Sequence, residues 1–289
     1  MADLGYRQHP TPNIIPLPIH PHSGSIQLNH TATMVANTAV WYFAYGSNMS
    51  LSKFTGSRGI HPIKVARAKL PGWTLTTEIP GTPYSEPAYT SIRPITDVDD
   101  EKTREVIGLA YLITAEQYVH LVASEGGGIA YADIAAPAIP ATESDELITG
   151  SEFVVRTLGT ILRRVPSSSP SARYMKLLTD GAADAKLPEE YCNYLHNIPK
   201  YEQPKDMRRR IGAMLFLAFW HPVMLLVERM TMASLGPDGN APAGVGQVVR
   251  FVVYIMWAWH DCVHAPIWGR GDGMDAQSVA YDVLRHNLC

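Results

Sequence analysis

The chain has 289 residues, 46% of them hydrophobic, with a formal charge of −3 and a pI near 6.4. That length and apolar content can bury a sizeable core and exclude a disordered chain, and the slightly acidic balance gives no reason to expect nucleic acid as a partner. Cys192, Cys262 and Cys289 are too few and too scattered for a disulfide framework or a four-ligand zinc site, and residues 1–20 lack the basic start and apolar run of a secretory signal, so a reducing, cytoplasmic compartment is expected.

In chain order, residues 1–37 are rich in Pro, His and Asn without periodicity and are expected to form a flexible N-terminal arm. The fold begins near Val40. Runs of β-branched and aromatic residues recur between Gly/Pro turns at 40–45, 63–68 with 73–78, 88–93, 105–113 and 152–158, the pattern of a closed or strongly curved sheet. Within 112–126, Leu112, Tyr118, Leu121 and Val122 fall at helical spacing, and Thr114 with Gln117 three residues on has the form of an N-terminal capping box. The short helix this predicts points at Glu125, which precedes three glycines and then a strand. Residues 171–196 read as helices, with Gly181 as a stop between them.

Two stretches invite a chemical reading. The strand in "VWYFAYGSNM" (40–49) runs into Tyr45-Gly46-Ser47-Asn48, a turn rich in hydrogen-bonding groups and free of charge. Taken alone it could be an ordinary Asn-containing hairpin turn. Glu125 could be a solvated loop acid, yet the glycines after it permit unusual backbone angles and close approach of a ligand, which a plain connection does not require.

Together these stretches resemble the γ-glutamylcyclotransferase family, whose signature is a Tyr-Gly-Ser-Asn loop after the first strand. The helical segment "ARYMKLLTDGAADAKLPEEYCNYLHNIP" (172–199) matches the family's Tyr-x-Lys run, Gly-Ala pair and Leu-Pro-x-Glu-Tyr run in order. Three ordered motifs over roughly Val40–Pro199 are far more specific than any one of them. The resemblance implies an α+β fold: a small mixed β-barrel with flanking helices, here spanning 38–204, with a C-terminal apolar helical extension at 205–289. It implies a site in which Tyr42, Tyr45, Gly46, Ser47 and Asn48 bind substrate and Glu125 takes the acid/base position. It also implies cyclisation of a γ-glutamyl group to 5-oxoproline with release of the amine half, without metal or cofactor. In that reaction the substrate's α-amine attacks its own γ-carbonyl, so orientation supplies much of the rate and one carboxylate moves the proton. Main-chain N–H groups of a glycine turn suit a carboxylate or a developing oxyanion. Ser47 lacks the Gly-x-Ser-x-Gly context of a nucleophile.

The sequence departs from the family pattern in two places. The substrate-contacting tyrosine falls at Tyr131, one residue closer to the glutamate than in the animal enzymes, and Leu158 stands where those have an aromatic residue. The Pro-rich arm and long C-terminus look most like filamentous-fungal members, some of which act on glutathione adducts in making sulfur-containing secondary metabolites.

The extension contains two apolar stretches, 211–227 after Arg208-Arg209-Arg210 and 245–263. Three arrangements are open: a hairpin packed on the barrel or on a second subunit, an interfacial membrane anchor, or true spans. The first stretch, 17 residues interrupted by Pro222, is slightly short at about 1.5 Å per residue for a hydrocarbon core of roughly 30 Å. His260 and His264, four apart, give a metal site only weak support without a third ligand. Arg270-Gly271-Asp272 reads as a turn, and "HNLC" at the C-terminus is not a prenylation motif. The extension is expected to govern stability, association or location rather than to supply the proton-transfer group. The rival reading is a noncatalytic small-molecule binder or membrane-associated scaffold on the same barrel, and it gains if Glu125 and the Gly46–Ser47 amides do not share a pocket.

Overall fold

A computed structural model describes residues 39–274 apart from Val98, Glu101 and Lys102; the expected N-terminal arm and Cys289 lie outside the described residues. Six strands form one sheet: β1 (Ala39–Ala44), β2 (Lys64–Thr82), β3 (Glu86–Pro94), β4 (Glu105–Thr114), β5 (Tyr131–Pro140) and β6 (Phe153–Thr160), in the order β3-β2-β4-β1-β6-β5. An additional pairing of β2 with β5 closes β2, β4, β1, β6 and β5 into a five-stranded barrel. The β1–β6 pair is parallel and the other pairs are antiparallel, so the sheet is mixed.

The segments read as separate strands at 63–68 and 73–78 are one strand. The register slips between Leu70 and Thr74, where Pro71 and Gly72 (φ +74°) interrupt the ladder. Instead of reversing the chain, this irregularity bends it, so that the first half of β2 pairs with β4 and the second half with β3. One element was not expected: α2 (Glu143–Thr149), whose buried Asp145 accepts a 2.9 Å bond from the Arg67 backbone N–H.

The helix α1 (Ala115–Ser124) starts as the sequence predicts. The Thr114 hydroxyl accepts from Gln117 N at 3.2 Å, and Thr114 N donates to the Gln117 side chain at 3.1 Å. Such a cap stabilises the helix start by about 1 kcal/mol. Gly181, however, does not stop a helix: α3 (Ala172–Asp184) runs through it, and the chain turns at Lys186 (φ +53°) before α4 (Glu189–Asn197). Gly181 is required for packing instead, because a Cβ there would lie 2.8 Å from Ser50 N and 3.0 Å from the Met49 carbonyl carbon. Helix α3 thereby backs directly onto the turn that follows β1.

Beyond residue 205 the chain forms α5 (Met207–Ala233), α6 (Ala243–Trp259), a wider turn over His260–His264 and the short α7 (Ala265–Trp268). The barrel has its own core, including Phe43, Leu70, Ile92, Tyr111 and Leu121. A second cluster joins Phe216, Trp220, Val249, Val253 and Met256 of α5 and α6 to Tyr84 and Ile129 of the barrel. Of the arrangements left open by the sequence, the structure therefore has the hairpin packed on the barrel. Its outer face stays apolar and exposed, with Met214, Phe219, Leu226, Phe251 and Tyr254 each more than 60% accessible. By length and composition, α5 could also cross a membrane.

The segment 269–273 clasps barrel to hairpin. Tyr84, in the β2–β3 turn at φ +64°, donates its N–H to Gly271 O at 2.7 Å, and its ring leaves no room for a Cβ on Gly271. The Arg-Gly-Asp sequence is thus a buried tie. Arg270 bonds Asp272 and Asp261, and Asp261 also pairs with Arg164 at 2.8 Å.

Candidate active site

The turn after β1 carries the uncharged Tyr-Gly-Ser-Asn residues to one end of the barrel. β1 delivers Tyr42 and Tyr45 buried, and the chain tightens into a short 3-10 turn over Ser47–Met49. The turn is held from behind: Tyr111 OH donates to Asn48 O at 3.1 Å, and Met49 N donates to Gly46 O at 3.0 Å. A Cβ on Gly46 would come within 3.2 Å of Thr90 Oγ1 and 3.5 Å of Tyr174 OH, so glycine keeps the space in front of those hydroxyls open.

Glu125 reaches the same place from the end of α1. Asn48 Nδ2 donates to Glu125 Oε1 at 3.0 Å and to Tyr42 OH at 2.9 Å, while the Arg58 guanidinium pairs with that same carboxylate oxygen. Because an ionised carboxylate can only accept, this contact fixes which end of the Asn48 amide is nitrogen. The other end, Oδ1, is buried and has no hydrogen-bond partner among the described residues. An unpartnered buried acceptor beside a carboxylate is a place for a ligand's donor.

All seven residues singled out from the sequence, Tyr42, Tyr45, Gly46, Ser47, Asn48, Glu125 and Tyr131, line one cleft, which Thr90, Leu158 and Tyr174 complete. The hydroxyls of the tyrosines differ in availability. Tyr45 OH donates to Leu158 O at 2.5 Å, and Tyr131 OH to Thr90 O at 3.2 Å, so these rings serve as walls with their protons already committed. Tyr174 OH lies 2.8 Å from Thr90 Oγ1. Burial pushes the phenols of Tyr42, Tyr45, Tyr131 and Tyr174 above their usual range, so at neutral pH they are uncharged. That leaves Glu125 as the carboxylate of the cleft. Glu78 and Asp133, the other acids near in sequence, are paired with Arg163 and Arg156 and do not line it. Ser47 Oγ accepts from Lys53 Nζ at 2.7 Å and has no general base beside it among the described residues.

The three glycines after Glu125 have a specific cause. Gly126, Gly127 and Gly128 all have positive φ (+86°, +58° and +75°). They are also gripped by the α5–α6 connection: Ala241 N donates to Gly127 O at 2.9 Å, a Cβ on Gly127 would meet the Leu235 side chain at 2.5 Å, and one on Gly128 would meet Asn240 Oδ1 at 2.6 Å. Arg250 of α6 adds a 3.0 Å bond to Ile129 O. The extension puts no side chain into the cleft, but it holds the turn on which Glu125 sits.

His260, Asp261 and Asp272 bring three metal-ligand atoms within 4.8 Å of one another. Both carboxylates are shared by the guanidiniums of Arg164 and Arg270, His260 Nδ1 bonds Asp261, and its Nε2 accepts from Gly271 N. Two fixed cations already complete this group as an ion-pair network. His264 is tied to Gly212 O at 2.9 Å, and burial lowers its imidazole pKa.

Sequence reasoning missed Arg58, Thr90 and the role of Tyr174. Tyr174 alone left a trace, as the tyrosine of the Tyr-x-Lys motif.

Residues 206–267 match the family described as the AclK C-terminal domain. Gamma-glutamyl cyclotransferase aclK of Aspergillus oryzae is 42% identical over 247 residues, covering 81% of this chain and 90% of that protein. Gamma-glutamyl cyclotransferase gliK of Aspergillus fumigatus is 35% identical over 245 residues, covering 81% and 89%. The gliK protein of Claviceps purpurea is 36% identical over 229 residues, covering 78% and 100%. A solved gamma-glutamyl cyclotransferase structure overlays with a TM-score of 0.45 at 22% identity, covering 59% of this chain and 92% of that one.

Proposed function

The chain belongs to the gamma-glutamyl cyclotransferase family, and on that footing we propose that it cyclises the γ-glutamyl group of a glutathione-related compound or γ-glutamyl peptide to 5-oxoproline and releases the amine half. The observation that carries the reading is the shared cleft of the Glu125 carboxylate and the Gly46–Ser47 turn. A noncatalytic binder would have no need of a carboxylate held beside an unpartnered amide oxygen.

The substrate's α-ammonium lies between Asn48 Oδ1 and the Glu125 carboxylate, two acceptors side by side. Glu125 removes one ammonium proton. The freed amine then forms a bond to the γ-carbon while main-chain N–H groups of the glycine turn receive anionic oxygen. The bond to the leaving nitrogen breaks as Glu125 returns the proton to it, so no net proton is consumed. Arg58 and Asn48 fix the carboxylate on Oε1, leaving Oε2 to face the substrate. Because attack is intramolecular, alignment can supply an effective molarity of about 10⁵ M or more, and the protein need only orient the chain and carry the proton.

The fungal origin of the relatives supports a place in fungal sulfur metabolism, with the protein in the cytoplasm. The exposed apolar face of α5 and α6, with Arg208 and Arg210 at its edge, supports association with an anionic membrane surface. Release of 5-oxoproline from γ-glutamyl amides, followed by mass spectrometry, tests the activity; its absence for every γ-glutamyl amide tried would overturn the reading. Flotation with anionic and neutral vesicles tests the association, and a protein that stays with neither sinks that part.

A further inference from the structure

A cavity of about 510 Å³ lies between the helical hairpin and the barrel, separate from the cleft that holds Glu125. It is of the size that takes a drug-sized ligand. Its walls are mainly apolar: Met224, Val227, Val249 and Val253 from the extension face Ile129 and Leu162 from the barrel.

The two spaces share a boundary on three chain segments. Ser124 and Gly126, on either side of Glu125, line the larger cavity. Ala130 lines it while its neighbour Tyr131 lines the cleft. Tyr89 lines it while packing its ring edge-on, at 5.2 Å, against Tyr174 of the cleft. Tyr89 also feels both sides: burial and the carboxylates of Glu86, Glu228 and Glu125 push its phenol up to about 12.

We propose that this cavity receives the amine half of the substrate and selects one that carries a bulky apolar group and no exposed carboxylate. The inference rests on the cyclotransferase reading. In that chemistry the γ-glutamyl group occupies the cleft and the leaving nitrogen must sit at Glu125 to be protonated, so whatever the nitrogen carries extends past Glu125. The space beyond is the apolar cavity.

Two further features define the preference. Met224 and Leu225 offer flexible and branched apolar surface from one face of α5, and methionine adapts to irregular shapes. On the same face, Glu228 lines the cavity and has no ion pair among the described residues. Glu86 lines it too, but is tied to Arg173 and Ser171. An unpaired carboxylate at the wall repels an anionic amine half and accepts from an amide N–H or a cation. Small γ-glutamyl amino acids with free carboxylates therefore fit poorly.

The test measures kcat/KM for 5-oxoproline release from four compounds: the γ-glutamyl methylamide and 2-naphthylamide, and γ-glutamyl-phenylalanine with its C-terminal amide. The wild-type chain is expected to favour the naphthylamide over the methylamide, and the phenylalaninamide over the free acid, by tenfold or more in each case. Met224→Trp, which fills the cavity, is expected to collapse the first ratio at least fivefold. Glu228→Lys, at an exposed helix position that tolerates substitution, is expected to move the second ratio at least fivefold toward the free acid. If wild type turns over none of the four, the cyclotransferase reading fails. If it turns them over at equal efficiency, or if folded Glu228→Lys leaves the second ratio unmoved, the subsite proposal alone is overturned.

Discussion

The turn at Tyr45–Asn48 and the turn at Gly126–Gly128 border the same cleft, yet different parts of the molecule hold them. The first is secured entirely by the barrel domain: Tyr111 bonds its carbonyls, Gly181 of α3 presses on Met49 and Ser50, and Thr90 with Tyr174 stands against Gly46. Its one glycine has a negative φ of −114°. The second contains three consecutive glycines at positive φ and is secured by the α5–α6 connection through Leu235, Asn240 and Ala241. A binding loop built into a barrel can be kept by local packing. A flexible glycine run gains a fixed geometry only when something outside it supplies the contacts, and here that something is the extension. The expectation that the extension governs only stability, association or location is therefore too narrow: it positions Glu125 through the turn.

The largest effect should come from Glu125→Gln, which keeps the shape of the side chain but cannot carry the proton. Release of 5-oxoproline should fall by about 10³-fold, in the range typical of a lost acid/base group. Binding of a γ-glutamyl amide measured by calorimetry should persist. Substantial turnover by the variant would remove Glu125 from the mechanism.

Gly127→Ala probes the outer hold directly, since the new methyl meets both an unfavourable φ of +58° and the Leu235 side chain at 2.5 Å. A shift of about 1 Å in a catalytic group can cost about 10²-fold, so kcat should drop by roughly ten- to a hundredfold. Stability should fall by about 1–3 kcal/mol, with faster amide exchange along α5 and α6. Unchanged kcat would mean that the turn does not need the extension. Deletion after Pro204 should give the same loss of kcat in a more severe form, even where the barrel still folds.

Gly46→Ala is the matched control on the other turn. Its φ is accessible to alanine, and the nearest obstacle is Thr90 Oγ1 at 3.2 Å. A few-fold rise in KM with little change in kcat or in hairpin exchange is expected from crowding of the cleft. An effect on the hairpin would erase the distinction between the two turns.

The smallest effect concerns the clasp that ties the extension down. Burial alone would raise the Asp261 carboxyl, but the His260 hydrogen bond and the Arg164 and Arg270 charges outweigh it and hold the group at about 2, below its ordinary 3.8. A depressed acid stabilises the fold above its unfolded value and loses that contribution as pH falls. The clasp should therefore contribute about 2 kcal/mol at neutral pH, decaying between pH 4 and pH 2. Urea titrations of wild type and Asp261→Asn across that window should converge as pH drops; a constant gap would rule out the ionised carboxylate as the source.

The sequence by itself determined the strands, because alternation and β-branched runs are local. It determined the start of α1, because a capping box is written in four residues, and it marked Tyr45–Asn48 and Glu125 through motifs whose order survives in the chain. It did not disclose that 63–78 belongs to one bent strand, since Pro71-Gly72 has the same signature in a turn as in a bulge. Nor did it disclose α2, whose seven residues are too few for helical periodicity to stand out. What only the tertiary structure decided are relations between distant positions. Arg58 meets Glu125 across 67 residues of chain, and Thr90 meets Tyr174 across 84. Gly181 reads as a helix stop until Met49 is seen against it, and the three glycines read as a flexible link until Leu235 and Asn240 are seen gripping them. A local pattern records what a residue's own backbone can adopt; which partner presses on it is set when the chain closes the barrel and lays the hairpin across its end.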